Sequence, residues 1–215
     1  MILSSRRVLD PSERISEVLF GLIMALTFTG SLSVAEAGRD DVRAMLVGAL
    51  GCNIAWGIID GILYVMGSLA EKGRGLLTLL AVRRADGPAA RRLIADALPS
   101  PVAAVLTPEE IDDLGRRLRG LPEPKGAARL AKQDLLGAVG VFLLVFLTTL
   151  PVAMPFLFVE RTHAAMRISN AIAIAMLFVA GFAYGRIVGR SPWGFGVSMV
   201  ALGAALVGLT IALGG

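Results

Sequence analysis

One carboxylate stands out in this sequence because it interrupts an apolar stretch. Asp60 lies inside the run 44–69. Helical steps of three, four and seven from Asp60 lead to Gly57, Tyr64 and Asn53, and Gly61 is one step of four from Gly57, so these polar and small residues are expected to share one side of the helix. A charge near the centre of a bilayer costs at least about 2.5 to 3.5 kcal/mol. This face is therefore expected to meet another helix or a water-filled path, which indicates an intramembrane ion or proton site.

Met24 is the side chain that we expect beside Asp60. Residues 36–43 are too few to join two apolar runs in any way but as an antiparallel hairpin. Counting eight residues inward from the predicted span ends puts Met24 level with Asp60. A carboxylate oxygen beside a thioether sulfur suits a borderline transition metal rather than magnesium. The alternative is that Met24 only packs.

Glu17 begins the first apolar run, at the end where ions would enter from the cytoplasm. It is either a solvated charge at a helix end or a residue that handles protons or guards an entrance. The other acidic candidates, Glu109, Glu110, Asp112 and Asp113, share one helix start. The helix dipole explains those four acids more simply than a metal site does.

The composition indicates a polytopic all-α membrane protein. Hydrophobic residues make up 55% of the 215 residues and charged residues 18%, with a mean hydropathy of +0.73. Five runs are long enough to span a bilayer: about 17–37, 44–69, 135–158, 168–187 and 194–213. The first is too long for a cleaved signal peptide. A single cysteine excludes an internal disulfide, and there is no zinc signature.

The basic residues predict the orientation. Of 21 Lys and Arg, only Arg39, Arg43, Arg161 and Arg167 lie on one side of the five spans. The positive-inside rule then places the N-terminus and the segment 70–133 in the cytoplasm. The predicted organisation is an N-terminal lead-in with two spans over 1–69, a cytoplasmic helical insert over 70–133, and three spans over 134–215.

Within the insert the sequence predicts three helices. Thr107, Pro108 and Glu110 form a capping signal, and Gly120 is a stop signal. Residues 76–85 and 88–98 are predicted as the other two. Beyond the insert, Pro151 and Pro155 are expected to kink or loosen the third span, and His163 is expected in an outer loop.

This layout resembles the vacuolar iron transporter family, also called the CCC1-like family, of which the chain would be a divergent member. The resemblance is carried by residues 142–147 leading to Pro151 and Pro155, and by 181–186 with Gly189 and Pro192. Residues 17–21 and 53–57 are similar more loosely.

The resemblance implies a homodimeric exchanger that moves ferrous iron and related divalent metals out of the cytosol against protons. The family uses an aspartate on the first span and a glutamate and a methionine on the second. Met24 stands at the aspartate position, Asn53 at the glutamate position, and the methionine falls near Asp60 or Gly61. The family's insert gathers glutamates to bind metal, and this insert lacks their ExxE-like pattern.

We therefore expect a proton-coupled exporter of Fe²⁺ or Mn²⁺ with Asp60, Met24 and Asn53 at the metal and Glu17 as a proton or entrance residue. No enzymatic activity, tightly bound cofactor or nucleic-acid partner is expected. Membrane lipid and a second copy of the chain are the expected partners. The alternatives are a non-transporting scaffold, in which Asp60 only bonds to Asn53, Tyr64 or span-1 hydroxyls, and a transporter of another small solute.

Overall fold

The computed structural model describes residues 11–31, 39–124 and 126–212, and every regular element in these ranges is a helix. The predicted lead-in, residues 4–14, lies mostly outside them. The helices are α1 (Pro11–Ser31), α2 (Arg39–Arg84), α3 (Gly87–Ala97), α4 (Ser100–Ala103), α5 (Pro108–Arg119), α6 (Lys132–Ala153), α7 (Pro155–Phe158), α8 (Thr162–Ile187) and α9 (Pro192–Ala212). The chain divides into two compact units, of which one is Val65–Lys132 and the other comprises the rest.

Four helices in the described part of the chain are long and apolar enough to cross a membrane. They are Val42–Arg84, Lys132–Ala153, Thr162–Ile187 and Pro192–Leu209. The chain is thus an integral, multi-pass membrane protein. The fifth predicted span, 17–37, overlaps α1 but runs into residues that are not described, so the count of five and the cytoplasmic side of the insert stay predictions.

The second span does not end where the sequence suggested. Helix α2 is 46 residues long and continues past Leu69 to Arg84, so the separate helix predicted over 76–85 is wrong. The two glycines in this stretch, Gly73 and Gly75, cost only about 1 kcal/mol each relative to alanine, and they are flanked by the helix-forming residues Glu71, Lys72 and Arg74. No proline or capping residue ends the helix before Asp86.

The unit Val65–Lys132 has a core of its own, formed where α3 and α5 pack on the last turns of α2. Its buried members are Val82, Ala90, Ile94 and Ile111. The predicted start of α5 is confirmed, because Thr107 and Glu110 form a capping box and Gly120 is the C-cap. The start of α3 is fixed similarly, since the Asp86 carboxylate accepts a hydrogen bond from the backbone N–H of Ala89.

The acidic start of α5 is used for structure. Glu110 accepts from the backbone N–H of Thr107 at 2.8 Å as part of the capping box. Asp113 pairs with Arg116 and Arg117 of its own helix. Asp112 accepts two hydrogen bonds from the Arg91 guanidinium, at 2.9 and 2.7 Å, which ties α5 to α3. Three of the four clustered acids are thus engaged in capping or ion pairs.

The bundle outside this unit is packed around α1, α6 and α8. Its buried cluster consists of Leu22, Ala25 and Leu26 on α1, Val152 on α6, and Ala173 and Leu177 on α8. Helices α8 and α9 approach closely at two glycines. A Cβ on Gly181 would lie 2.7 Å from the carbonyl oxygen of Phe195, and one on Gly185 would lie 2.8 Å from the Cα of Pro192.

The two prolines of the third span divide it into α6 and α7, as predicted. Helix α6 passes through Pro151 and ends at Ala153, and α7 begins at Pro155. The carbonyl of Val152, at this break, accepts a hydrogen bond of 2.6 Å from the buried hydroxyl of Ser169. His163 lies in the first turn of α8, so its predicted loop position is wrong: α8 begins at Thr162, six residues before the apolar run.

We expect Gly185→Ala to destabilise the protein and Gly208→Ala not to. Because the new Cβ at position 185 meets backbone atoms, α8 and α9 must separate, and overpacking of this kind costs about 1 to 3 kcal/mol. Nothing lies within 4 Å of the corresponding position at Gly208. Thermal unfolding in detergent measures both variants, and equal melting temperatures would contradict the packing described.

The Arg91–Asp112 pair predicts an acid-sensitive junction between α3 and α5. Hydrogen bonding to Arg91 lowers the pKa of Asp112 below its ordinary value. The contribution of the pair is therefore present above the ordinary aspartate pKa of about 3.9 and is lost as the pH falls through the lower, folded-state pKa. Protection factors of α3 and α5 amides, measured by hydrogen exchange on the full chain, are expected to drop on acidification.

Asp112→Asn is expected to lower this protection already at neutral pH and to flatten its decline. Asp96→Asn, on α3, is the matched control and should leave the decline unchanged. A decline that persists unchanged in Asp112→Asn would show that another group is responsible.

Candidate functional site

Two side-chain contacts fix how α1 and α2 lie against each other. The Cys52 thiol donates to the Met24 sulfur at 3.8 Å. One turn away, the rings of Phe20 and Trp56 pack edge to face, with centroids 5.4 Å apart. From the first contact to the second, the residue number on α1 falls by four, from 24 to 20, while the number on α2 rises by four, from 52 to 56. The two helices are therefore antiparallel, as the hairpin predicted.

This register shows that Met24 and Asp60 are not level. Met24 is opposite Cys52, and Asp60 lies eight residues farther along α2, about 12 Å along the helix axis. The expected pairing of Met24 with Asp60 is thus wrong. The physical reason is that the ends of an apolar run do not fix the depth of a helix: α2 extends well past its apolar run, to Arg84. A role for either residue as a metal ligand stays a prediction.

Glu17 is the residue that the register brings to Asp60. Continuing from the pairs 24/52 and 20/56 by one more turn leads to position 60 on α2 and to positions 16 and 17 on α1. Both side chains are half-buried. One oxygen of Asp60, Oδ2, is buried and has no hydrogen-bond donor among the described residues. The register therefore places two carboxylates at about the same level of α1 and α2.

Asn53 belongs to the contact between α2 and α6. Its side chain is fully buried, and its amide nitrogen donates to the Thr149 hydroxyl at 2.5 Å and to the Phe146 carbonyl at 3.3 Å. Thr149 in turn donates to the Phe146 carbonyl at 2.8 Å. The amide oxygen, Oδ1, is buried without a donor in the described part of the chain. The amide nitrogen is thus engaged by α6, while the oxygen is free to accept.

The face of α2 that the sequence singled out does pack on a helix. A Cβ on Gly57 would lie 2.9 Å from the Phe142 ring, and one on Gly61 would lie 3.2 Å from the Ala138 carbonyl oxygen. The Tyr64 ring lies directly on Gly137, where no side chain would fit. The prediction that this face is turned away from lipid is confirmed.

Met24 lines a small cavity between α1, α2 and α6. The cavity has a volume of about 20 Å³, enough for a single water-sized guest, and Thr149 lies in its wall. Met45 and Leu46 contribute from α2. A thioether and a hydroxyl thus face the cavity beyond Asn53.

Cys52 and Thr149 were not among the predicted site residues. Cys52 could have been found by its position, since it is eight residues from Asp60 and so on the same side of α2. Thr149 gave no signal, because a threonine in a span most often bonds to its own helix, as it also does here.

The arrangement is suited to binding a cation or a proton. Two carboxylates held together in a weakly solvated place repel each other, and a proton or a divalent cation between them relieves that repulsion. No three His, Cys, Asp or Glu residues in the described ranges form a cluster that could hold a metal by themselves. Any metal bound here would therefore complete its shell with backbone, hydroxyl or solvent oxygen.

Comparison with known proteins identifies one family. A model described as VIT family matches residues 78–215. No curated protein matches the sequence. The matched segment begins after Asp60, so it covers α3 to α9 and the end of α2, while Glu17, Met24, Asn53 and Asp60 lie outside it.

The register of α1 and α2 can be tested by crosslinking. In Met24→Cys, a rigid short thiol crosslinker is expected to join position 24 to the native Cys52, because the two sulfurs already touch. The matched chain carries Met24→Cys, Asp60→Cys and Cys52→Ser and should give no intramolecular product, since its thiols are about 12 Å apart along the axis. Peptide mapping distinguishes the products. A crosslink in the second chain and none in the first would reverse the register.

Proposed function

The chain belongs to the VIT family, a family of membrane metal-ion transporters, and we propose that it exchanges a divalent transition metal, Fe²⁺ or Mn²⁺, for protons. The proposed direction, export from the cytosol, is what the resemblance to the family's exchangers implies. The charge bias predicts only which side of the membrane the N-terminus and the insert occupy.

The Asp60 carboxylate opposite Glu17 carries this proposal. A buried oxygen without a donor is expensive in an apolar bundle, because nothing replaces the water that it has lost. A cation bound between Asp60 and Glu17 supplies the missing interaction. When the cation leaves, protons on the same carboxylates neutralise them again. Alternate occupation by metal and protons is the chemistry that an exchanger requires.

The ligand atoms at this level favour Mn²⁺ or Fe²⁺ over thiophilic ions. Carboxylate oxygens suit hard and borderline divalent metals, whereas thioethers and thiolates suit Cu⁺. Cys52 lies about two turns from Asp60 along α2, and Met24 of α1 contacts Cys52, so both sulfurs are distant from this level. We propose that binding depends on Glu17 and Asp60, and that sulfur does not contribute to this site.

Dimerisation belongs to the same proposal. The resemblance to homodimeric exchangers motivates it. The small residues of α1 and the Gly57–Gly61 spacing support it less, because Gly21, Gly57 and Gly61 pack on α6 of the same chain. Mass photometry in detergent is expected to show a dimer.

The experiment that tests the proposed function compares metal binding and flux in three variants. Asp60→Asn is expected to remain folded, since it removes a buried charge, and to abolish both Mn²⁺ flux and the accompanying proton movement in proteoliposomes. Glu17→Gln should weaken Mn²⁺ binding by at least about tenfold, which is about 1.4 kcal/mol, because it removes one of two opposed charges. Calorimetry measures binding, and metal- and pH-sensitive dyes measure flux.

Glu109→Gln is the matched control, since it makes the same chemical change in the unit Val65–Lys132. It is expected to bind and transport as the wild type does. Normal flux in Asp60→Asn would exclude the site. The absence of flux in the wild type, with every variant equally inactive, would favour the scaffold alternative.

A further inference from the structure

Three sulfur-bearing side chains lie at or next to one cavity where α1 faces the first half of α2. The Cys52 thiol contacts the Met24 thioether, with the two sulfurs 3.8 Å apart. Met24 and Met45 both line the cavity of about 20 Å³ between α1, α2 and α6. Met45 and Cys52 are seven residues apart and so share a face of α2. One thiol and two thioethers are therefore gathered here, at least about two turns of α2 from Asp60.

The separation of the Cys52 and Met24 sulfurs fits two ligands of one metal ion. Metal–sulfur bonds are about 2.3 Å long, so two sulfurs on one ion are about 3.8 to 4.0 Å apart in a three- or four-coordinate site and about 4.6 Å apart in a linear one. The observed 3.8 Å therefore calls for at least one further ligand. Met45 lies in the wall of the same cavity, and a thioether on three rotatable bonds can turn toward an ion held by the other two sulfurs.

The size and the polarity of the cavity favour a soft monovalent ion. The cavity has room for one water-sized guest. Apart from the two methionines and Thr149, its walls are Leu, Ala and Val side chains, and the Thr149 hydroxyl is already bonded to Asn53 and to the Phe146 carbonyl. A Cys52 thiolate neutralises a monovalent cation, whereas a divalent cation keeps a net charge that these walls cannot offset. Thiolate and thioether sulfurs are also the ligands that select Cu⁺.

We propose that Cys52, Met24 and Met45 form a binding site for a soft monovalent metal ion, Cu⁺ or its analogue Ag⁺. On binding, the Cys52 thiol gives its proton to solvent, and the thiolate and the two thioether sulfurs bind the ion without a change in its oxidation state. The bound ion bridges α1 and α2. This site differs from Glu17 and Asp60 in position and in ligand type, so it does not rest on the proposed exchange of Fe²⁺ or Mn²⁺.

A competition titration tests the site without any measurement of transport. The full chain in detergent is titrated anaerobically with Cu⁺ in the presence of the chromogenic chelator bicinchoninate, which reports the number of ions bound and their affinity. The wild type is expected to take one Cu⁺ per chain from the chelator. Cys52→Ser is expected to abolish this binding, since Cys52 is the single cysteine of the chain and supplies the thiolate.

Met24→Leu and Met45→Leu are each expected to weaken Cu⁺ binding by at least about tenfold. Leucine has nearly the volume of methionine, so each change removes the sulfur and disturbs packing little. Melting temperatures without metal, expected at the wild-type value, show that the variants are folded. X-ray absorption at the copper edge of the wild-type complex is expected to show three sulfur neighbours. A shell of oxygen or nitrogen would contradict the ligands assigned.

Met66→Leu is the matched control. It makes the same chemical change on α2 at a side chain that is 61% exposed, and it should bind Cu⁺ as the wild type does. A wild type that takes no Cu⁺ from the chelator would overturn the inference. Wild-type affinity in both Met24→Leu and Met45→Leu would overturn it too, because the Cys52 thiol would then act alone. An equal loss in Met66→Leu would show that binding does not depend on the cavity.

Mn²⁺ separates this site from the proposed exchange site. Asp60→Asn should keep the wild-type affinity for Cu⁺, and excess Mn²⁺ should not displace Cu⁺ from the wild type. Loss of Cu⁺ in Asp60→Asn, or its displacement by Mn²⁺, would refute a separate sulfur site and leave the proposed function standing. Cu⁺ binding as described in a chain that moves no Mn²⁺ would refute the proposed function and leave this inference standing.

Discussion

The structure of the bundle depends on the cost of a carboxylate held among apolar helices. Asp60 lies on a helix that is apolar for more than 20 residues, with one oxygen buried and without a donor in the described residues. A charge in that place persists only if something offsets its loss of hydration. Glu17, which the register places at about the same level, cannot offset this loss because a carboxylate has the same sign. A cation or a proton is what we propose to offset it.

Close packing holds the helices that carry this pair. Gly57 and Gly61 bring α2 against the backbone and rings of α6, and Gly21 brings α1 within contact of the Val145 carbonyl. Without hydrophobic association between helices in lipid, such contacts are the main source of their attraction. The same contacts bury Asn53, which lies four residues from Gly57 and is bonded to Thr149 and Phe146 of α6.

The sequence predicted the helical fold well and the site only in part. Periodicity identified the face of Asp60, Gly57 and Gly61, and the capping residues identified α5, because both signals are local. The pairing of Met24 with Asp60 failed because it needed the relative depth of two helices. Depth follows from contacts such as Cys52 with Met24, and apolar run lengths do not determine it. Thr149 could not be found, since its partner is 96 positions away.

The acids of the chain separate into two kinds by what surrounds them. In the unit Val65–Lys132, Asp112, Asp113 and Glu110 have guanidinium or backbone N–H partners, so their charges are already neutralised and a metal would have to displace those partners. In the bundle, Asp60 has an oxygen without a donor among the described residues, and the register places Glu17 at about the same level. We therefore expect a cation to gain more free energy at Asp60 than at α5, although α5 has more acids. The number of carboxylates in a segment is thus a poorer guide to cation binding than whether each carboxylate already has a hydrogen-bond donor or an ion-pair partner.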